Sequence, residues 1–360
     1  MIDILFFIPN KKNKYTGIGK VGFHISKVLK ENKNIFQEEV SINERNSRSS
    51  FQKFINLFQY FFIAIYNKKF KQTKVLFSTT SRLPIFGLNK KLYKIIFVHD
   101  LVYKRMPQTM SKFGLMADKF FVPNAIKRSE LILCPSLATY QDIKKYFPVY
   151  IEKTNIVPLA SSLTDAKNVS IKNLPFNNFI LCVGTIEPRK NYINMLRGYA
   201  MLQKKYREKF PLVIVGNKGW GKINLDKEII SLGISNNVHI KSYQDDNYLK
   251  ALFKNAYCLL YASLFEGFGL PIIEAHSLGV PVIVSNKSSM PEVAKDGALY
   301  VDPNSPNSIY DKLNKIIRDK NIRYELSKNA IKNAKNYSWQ KVSDKIISKL
   351  CEENLLNLNL

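Results

Sequence analysis

The sequence predicts an α/β protein made of two doubly wound, parallel-sheet domains. Three observations carry this. The 360 residues are the length of two ordinary domains. Short apolar runs alternate with longer helical stretches, the pattern of a parallel sheet covered on both faces. That alternation runs once and then restarts. The first set of strands is expected at Ile2 to Ile8, Val75 to Ser78, Ile95 to His99, Leu131 to Pro135 and Thr154 to Val157. The second set is expected at Phe179 to Gly184, Leu212 to Val215, Val238 to Ile240, Cys258 to Tyr261 and Val282 to Ser285. The polar segment Ser161 to Asn178 separates them. The expected organisation is a first domain over 1–165, a linker over 166–178, a second domain over 179–335 and a C-terminal segment over 336–360. Within that last segment Trp339 to Leu350 has helical periodicity.

Composition narrows the class. Hydrophobic residues make up 46% of the chain, enough for two cores, yet no run reaches the ~18 apolar residues of a membrane span. The start, Met1-Ile2-Asp3-Ile4-Leu5-Phe6, reads as a buried strand and lacks the basic head and small-residue cleavage site of a signal peptide. Cys134, Cys182 and Cys258 sit in apolar runs and Cys351 near the C-terminus. Their spacing suits neither a metal site nor a disulfide framework, and a reducing, cytoplasmic setting is expected. The net charge is +27. Residues 1–160 hold 27 Lys and Arg against 10 Asp and Glu, so the first half is the more basic. Anionic lipid, phosphorylated acceptors and nucleic acid would all be attracted, although scattered lysines also fit a compositional bias.

The most informative stretch is 261–292. An apolar strand, Ala256 to Ala262, enters a loop holding Gly267 and Gly269, and Pro271 opens a helix. Glycines admit a close ligand, and free N–H groups at a helix start attract phosphate. Glu266 and Glu274 flank this anion site. Carboxylates belong there if they face hydroxyl groups, so the loop fits a sugar nucleotide. A plain strand–loop–helix joint with solvated glutamates is the alternative. Earlier in the same domain, Gly184-Thr185-Ile186-Glu187-Pro188-Arg189-Lys190-Asn191 follows a strand. A glycine turn with two adjacent cations at a strand's carboxyl end suits a diphosphate. Alone it reads equally well as a solvated pair at a helix start.

The block Ser263-x-x-Glu266-Gly267-Phe268-Gly269-Leu270-Pro271-x-x-Glu274-Ala275, with its Glu-x7-Glu spacing, resembles the donor-binding signature of retaining glycosyltransferases of family 4. The likeness covers nearly the whole chain. It implies the GT-B fold, two Rossmann-like domains facing a cleft. It implies that Glu274 binds ribose hydroxyls, Glu266 the donor sugar, and Gly267, Phe268, Gly269 and Leu270 the nucleotide. The Gly184-to-Lys190 run is similar to the family's Gly-x5-Lys phosphate segment, with Thr185 where many members have Arg. The diphosphate role therefore falls on Arg189 and Lys190, in place of a metal. Gly-Thr-x-Glu-Pro-Arg-Lys-Asn resembles a branch rich in hexosyltransferases of bacterial surface polysaccharides. GDP-mannose is the first donor expected, with a lipid-linked glycan as acceptor. His99, ahead of Asp100, is similar to the family's active-site histidine and is expected to face the reacting sugar; a structural His-Asp pair stays open. Gly17, in Tyr15-Thr16-Gly17-Ile18-Gly19-Lys20, matches the first glycine-rich loop, with the helix expected to begin near Val21, and a plain turn is nearly as good a reading. The family also implies a C-terminal helix that packs back on the first domain.

Other features carry less. Asp245-Asp246 reads as a helix start rather than a metal site. The aromatic stretch Phe54 to Tyr66, followed by Lys68, Lys69, Lys71 and Lys74, fits a buried helix with a basic tail or an interfacial helix. The reading is a cytoplasmic glycosyltransferase, peripheral to the membrane, binding a sugar nucleotide and a glycan, with no cofactor and no nucleic-acid partner. Its rivals are another GT-B enzyme, such as a sugar-nucleotide epimerase, and a basic nucleic-acid binder without catalysis.

Overall fold

The structure, a computed structural model, describes residues 2–9, 17–42, 60–163, 165–168, 178–221 and 223–356. They form two compact units. One comprises Met1–Tyr103, Lys112–Leu159 and Ser338–Leu360, and the other Lys104–Ser111 and Ala160–Tyr337.

The first unit holds a six-stranded, wholly parallel sheet in the order β2-β1-β3-β4-β5-β6. Its strands are β1 (Ile2–Pro9), β2 (Ile35–Ile42), β3 (Val75–Ser78), β4 (Tyr93–Phe97), β5 (Leu131–Cys134) and β6 (Thr154–Ile156). β3 and β5 are buried at every position, as expected of strands covered on both faces. β2 was not expected. It lies at the sheet edge and carries the half-buried polar run Gln37-Glu38-Glu39, so it lacks the apolar run of a central strand. The helix after β1 spans Gly17–Lys30. It begins four residues before the position expected, which places Gly17 in its first turn. The rest of the loop, 10–16, lies outside the described residues.

The C-terminal helix Trp339–Glu352 belongs to the first unit and packs on Gly17–Lys30. Trp339 stacks on His24 with ring centroids 4.6 Å apart and planes 8° from parallel. The sequence offered no role for His24; it is a buried stacking partner.

The second unit repeats the architecture, with order β12-β11-β10-β7-β8-β9 and every pairing parallel. The strands are β7 (Phe179–Val183), β8 (Leu212–Val215), β9 (Val238–Lys241), β10 (Ala256–Tyr261), β11 (Val282–Ser285) and β12 (Ala298–Val301). β12 is again an unexpected edge strand, with a half-exposed centre. Each sheet is doubly wound: the chain leaves β7 towards β8 and β9, then returns to lay β10 on the other side. The reversal makes β7 and β10 neighbours and sets a topological switch point beyond their carboxyl ends, where open α/β sheets take ligands. No helix among the described residues is long and apolar enough to cross a membrane. All four cysteines are free, and only Cys351 is not fully buried.

Candidate functional site

The loops after β7 and β10 leave the sheet side by side and are tied together. Leu264 N–H donates to the Arg189 carbonyl at 2.9 Å. Pro188 starts a 3-10 turn, Pro188–Lys190, and Asn191 ends it in the left-handed region with φ 61°. The buried Asn191 amide donates to the carbonyls of Ala262 (2.9 Å) and Pro303 (2.7 Å), fixing the turn against β10. Gly184 and Gly216 make the approach of β7 and β8 possible. A Cβ on Gly216 would lie 1.9 Å from the Gly184 carbonyl oxygen. Gly184, at φ 143°, leaves room for the Lys190 stem, whose Cε would be 3.2 Å from a Cβ there.

This frame brings four charged side chains into one buried cluster. Arg189 donates from Nε and Nη2 to Glu187 Oε1 at 3.0 and 2.7 Å. Its Nη1 donates to Glu266 Oε2 at 2.6 Å and to the Phe265 carbonyl at 2.9 Å. Lys190 Nζ donates to Glu266 Oε1 at 2.7 Å and to the Tyr261 hydroxyl at 2.8 Å. Two cations thus meet two carboxylates. Burial pushes the Glu266 carboxyl up, but Arg189 and Lys190 outweigh it and hold it at about 2. Glu266 is therefore ionised at neutral pH. Burial raises Glu187 against the pull of the same cations. In the sequence Glu266 was expected to face hydroxyls and the cations to face phosphate. In the structure these groups hold one another, because a carboxylate buried at this depth must be paired.

The rest of the loop is braced from below. Ser289 Oγ lies 3.0 Å from the carbonyls of Glu266 and Phe268 and shares its one proton between them, and Ser288 Oγ also donates to the Glu266 carbonyl. Gly267 and Phe268 are buried, and Phe268 meets Tyr337 edge-on at 5.9 Å. Gly269 adopts φ 97° and caps the helix Leu270–Ser277. Pro271 is thus its second residue, not its first as expected. Glu274 lies on this helix, buried, and accepts a hydrogen bond from Ser162.

Sequence reasoning missed Glu187, Tyr261, Ser162 and the Ser288–Ser289 brace. Glu187 did carry a signal. It stands two residues before Arg189, across a proline turn that folds the two side chains together. Asp245 caps the helix Asp246–Asn255, its carboxylate accepting from Tyr248 N–H at 2.8 Å, and Asp246 accepts from Tyr243. Among the described residues no three acidic, histidine or cysteine side chains gather as a metal site.

In the first unit His99 lies two residues beyond β4, at the sheet's carboxyl edge. Its Nε2 bonds the Thr79 carbonyl at 2.8 Å. A carbonyl only accepts, so Nε2 carries the proton. Burial lowers the His99 pKa and keeps the ring neutral. The geometry leaves His99 Nδ1 as the ring's hydrogen-bond acceptor. Asp100 does not orient the ring. Its carboxylate accepts from Val102 N–H at 3.0 Å and caps the short helix Val102–Arg105.

The sequence pattern of the family described as Glycosyl transferases group 1 matches residues 166–337, the stretch that holds this cluster. Those residues belong to the group 1 glycosyl transferases. The chain is 28% identical over 275 residues to O-antigen chain mannosyltransferase B of Escherichia coli, covering 74% of this chain and 72% of that one. It is 28% identical over 240 residues to O-antigen chain mannosyltransferase RfbU of Salmonella typhimurium, covering 67% and 64%. Among solved structures, WaaG, a glycosyltransferase involved in lipopolysaccharide biosynthesis, superposes with a TM-score of 0.73 at 16% identity, over 96% of this chain and 98% of that chain. The Anabaena protein HepE in complex with UDP and glucose gives 0.71 at 16%, over 98% and 100%. At such identities the structures speak for the fold alone, and that fold is GT-B. The protein is a glycosyltransferase.

Proposed function

We propose that this glycosyltransferase moves mannose from GDP-mannose, with retention of configuration, to a lipid-linked glycan in O-antigen-type surface polysaccharide synthesis. The interlocked Glu187–Arg189–Glu266–Lys190 cluster at the β7/β10 switch point is the observation that carries the reading. The names of the two mannosyltransferase relatives support the choice of sugar. Lys190 has three N–H donors, and the contacts to Tyr261 and Glu266 use two. The third is available to a phosphate oxygen. As the bond from the sugar's anomeric carbon to the diphosphate breaks, charge grows on the leaving oxygen. A fixed ammonium and guanidinium beside it stabilise that charge without rearranging. Glu266 can serve hydroxyls while paired, because each carboxylate oxygen that accepts from a cation keeps a second lone pair. Glu274 on its helix takes the ribose hydroxyls. Neutral His99 offers Nδ1 to a sugar hydroxyl. The metal-free reading rests on these two cations.

The acceptor's lipid and the basic first half together imply work at the inner face of the cytoplasmic membrane, held by anionic lipid. Thermal stabilisation by GDP, UDP, GDP-mannose and UDP-glucose tests the donor, because a ligand bound only to the folded state raises its stability. GDP and GDP-mannose should stabilise, with or without EDTA. Stabilisation by the uridine compounds alone would overturn the donor. An inverted product anomer by NMR would overturn the stereochemistry.

A further inference from the structure

The long middle stretch of the first unit ends at Leu159, and the residues from Ala160 onward belong to the second unit. The sequence marks this point as the start of a polar connector. Yet Ala160, Ser161, Ser162 and Leu163 are each at most 3% exposed. Two adjacent hydroxyls sealed from water need partners. Ser162 Oγ donates to Glu274 Oε1. Ser161 Oγ accepts from Leu163 N–H at 3.2 Å and lies 3.2 Å from Ser277 Oγ. Ser277 ends the helix Leu270–Ser277, one turn beyond Glu274, and its Oγ lies 2.8 Å from the Glu274 carbonyl. The connector then runs beside the helix Asp246–Asn255. Lys167 N–H donates to Asn247 Oδ1 at 2.7 Å, and Lys250 Nζ donates to the Ala166 carbonyl at 2.6 Å. The segment is thus fastened to two helices of the second unit, and Ser162 fastens it to a carboxylate of the candidate site.

The two glutamates of that site are held differently. Glu266 sits between two cations. Glu274 accepts from a neutral hydroxyl. A hydroxyl fixes the direction of a carboxylate without cancelling its charge. It also takes only one of the roughly four lone-pair sites on the two oxygens. An untethered glutamate has several torsions to freeze when a ligand arrives, and a group held in place beforehand avoids that loss. A nucleotide's ribose presents two neighbouring hydroxyls, so a carboxylate set in one direction can accept from both.

We infer that Ser162 is a positioning residue for the donor, its hydroxyl setting the Glu274 carboxylate to receive the ribose diol. This rests on the ribose reading of Glu274 and deepens it. The first residues of the connector become part of the nucleotide site, and the site gains a means of telling a ribonucleotide from a nucleotide that lacks the diol.

Calorimetric binding of GDP, UDP and their 2′,3′-dideoxy forms to the full chain tests this without an acceptor. The comparison is made on whichever base binds, so a wrong choice of base leaves it intact. The parent should prefer the ribose form by about tenfold or more, the worth of a hydrogen bond to a charged group. Ser162→Ala should cut that preference by about threefold or more and bind the dideoxy form as the parent does. Ser162→Cys, nearly isosteric and a weaker donor, should fall between the two, and it supplies the measurement if the alanine variant does not fold. Ser161→Ala removes the neighbouring grip at Ser277; it should lower the melting temperature and keep the parent's preference. A parent-like preference in folded Ser162→Ala and Ser162→Cys would overturn the positioning role. So would equal weakening of the ribose and dideoxy forms, which is what a merely structural serine would give. A parent with no preference for ribose would remove the ribose reading of Glu274 itself, and this role with it.

Discussion

The two sheets share one architecture and use it in opposite ways. Beyond β7 and β10, four charged groups are crowded into two short loops, and hydrogen bonds lock them to Tyr261 at the end of β10 and to a serine brace beyond β11. Beyond β4, His99 hangs from one carbonyl, and the notable side chains of its unit are spread over distant segments: a glycine-led helix, a cluster of Phe61, Phe86 and Phe120, and scattered lysines. We propose that the contrast follows from the two ligands of the proposed reaction. A diphosphate is small and highly charged, and needs fixed donors within a few ångströms. A glycan at a lipid surface is large and weakly charged, and can be met by broad contacts.

The sharpest way to break the contrast is Glu266→Ala. It leaves Arg189 and Lys190, both largely buried, without their shared carboxylate. Removing one partner of a buried ion pair costs about 3–5 kcal/mol. We expect a fall in melting temperature together with near-complete loss of transfer. Glu266→Gln should fold better and still transfer poorly. The pH dependence has a definite sign. Glu266 titrates at about 2 in the folded protein, below its ordinary value. Its stabilising contribution is thus present above about pH 4.3, the unfolded carboxylate's range, and fades as pH falls towards 2. Acid unfolding monitored by circular dichroism should show this loss in the parent and less of it in Glu266→Gln. Identical acid curves would remove the paired-carboxylate account.

Next in size is Glu274→Ala. Losing a charge-assisted hydrogen bond costs about 1.5–3 kcal/mol, roughly 10- to 150-fold in donor affinity. Because Ser162 also loses its acceptor, stability will fall as well, so Glu274→Gln serves as the companion. Donor affinity like the parent's in a folded variant would remove the ribose assignment. In the first unit, His99→Ala should be milder. One neutral hydrogen bond is worth about 0.5–1.5 kcal/mol, or up to roughly tenfold in transfer rate. With its pKa already lowered by burial, His99 should give a transfer rate flat from neutral pH upwards. A loss of activity on deprotonation near pH 7 would mean the imidazolium is the working form.

The same contrast governs what could be read in advance. All five strands expected in each half exist, and in each half the strand that escaped notice is an edge strand. β2 carries Gln37-Glu38-Glu39 and β12 a half-exposed centre, so neither shows the continuous apolar run that betrays a strand buried on both faces. Of the interlocked cluster, Glu266, Arg189 and Lys190 stood out in the sequence, because they come with their glycines in fixed spacing, and Glu187 did not. Their pairing was not legible. Which carboxylate meets which cation depends on β7 and β10 being neighbours, a fact of topology that no local pattern states. The cluster of Phe61, Phe86 and Phe120 was harder still, since its members come from three segments and only packing brings them together, and residues 54–59 of the aromatic stretch lie outside the described residues.

The smallest expected effect concerns Asp245, and it bears on whether the diphosphate of the proposed donor is met by side-chain cations or by a metal. Paired aspartates near a nucleotide site invite a divalent ion. Here Asp245 accepts from Tyr248 N–H and starts the helix Asp246–Asn255, while Asp246 accepts from the Tyr243 hydroxyl. A cap satisfies one free backbone donor and sits well with the helix dipole, so Asp245→Ala should cost about 1 kcal/mol of stability. Asp245→Asn, which caps as well, should restore it. Neither variant should change the transfer rate, and transfer by parent and variants alike should survive excess EDTA. Loss of transfer in Asp245→Asn, or loss on chelation that magnesium or manganese restores, would mean that the carboxylate binds a metal. The charge of the departing diphosphate would then be met by an ion as well as by Arg189 and Lys190, and the density of the second site would no longer be explained by its side chains alone.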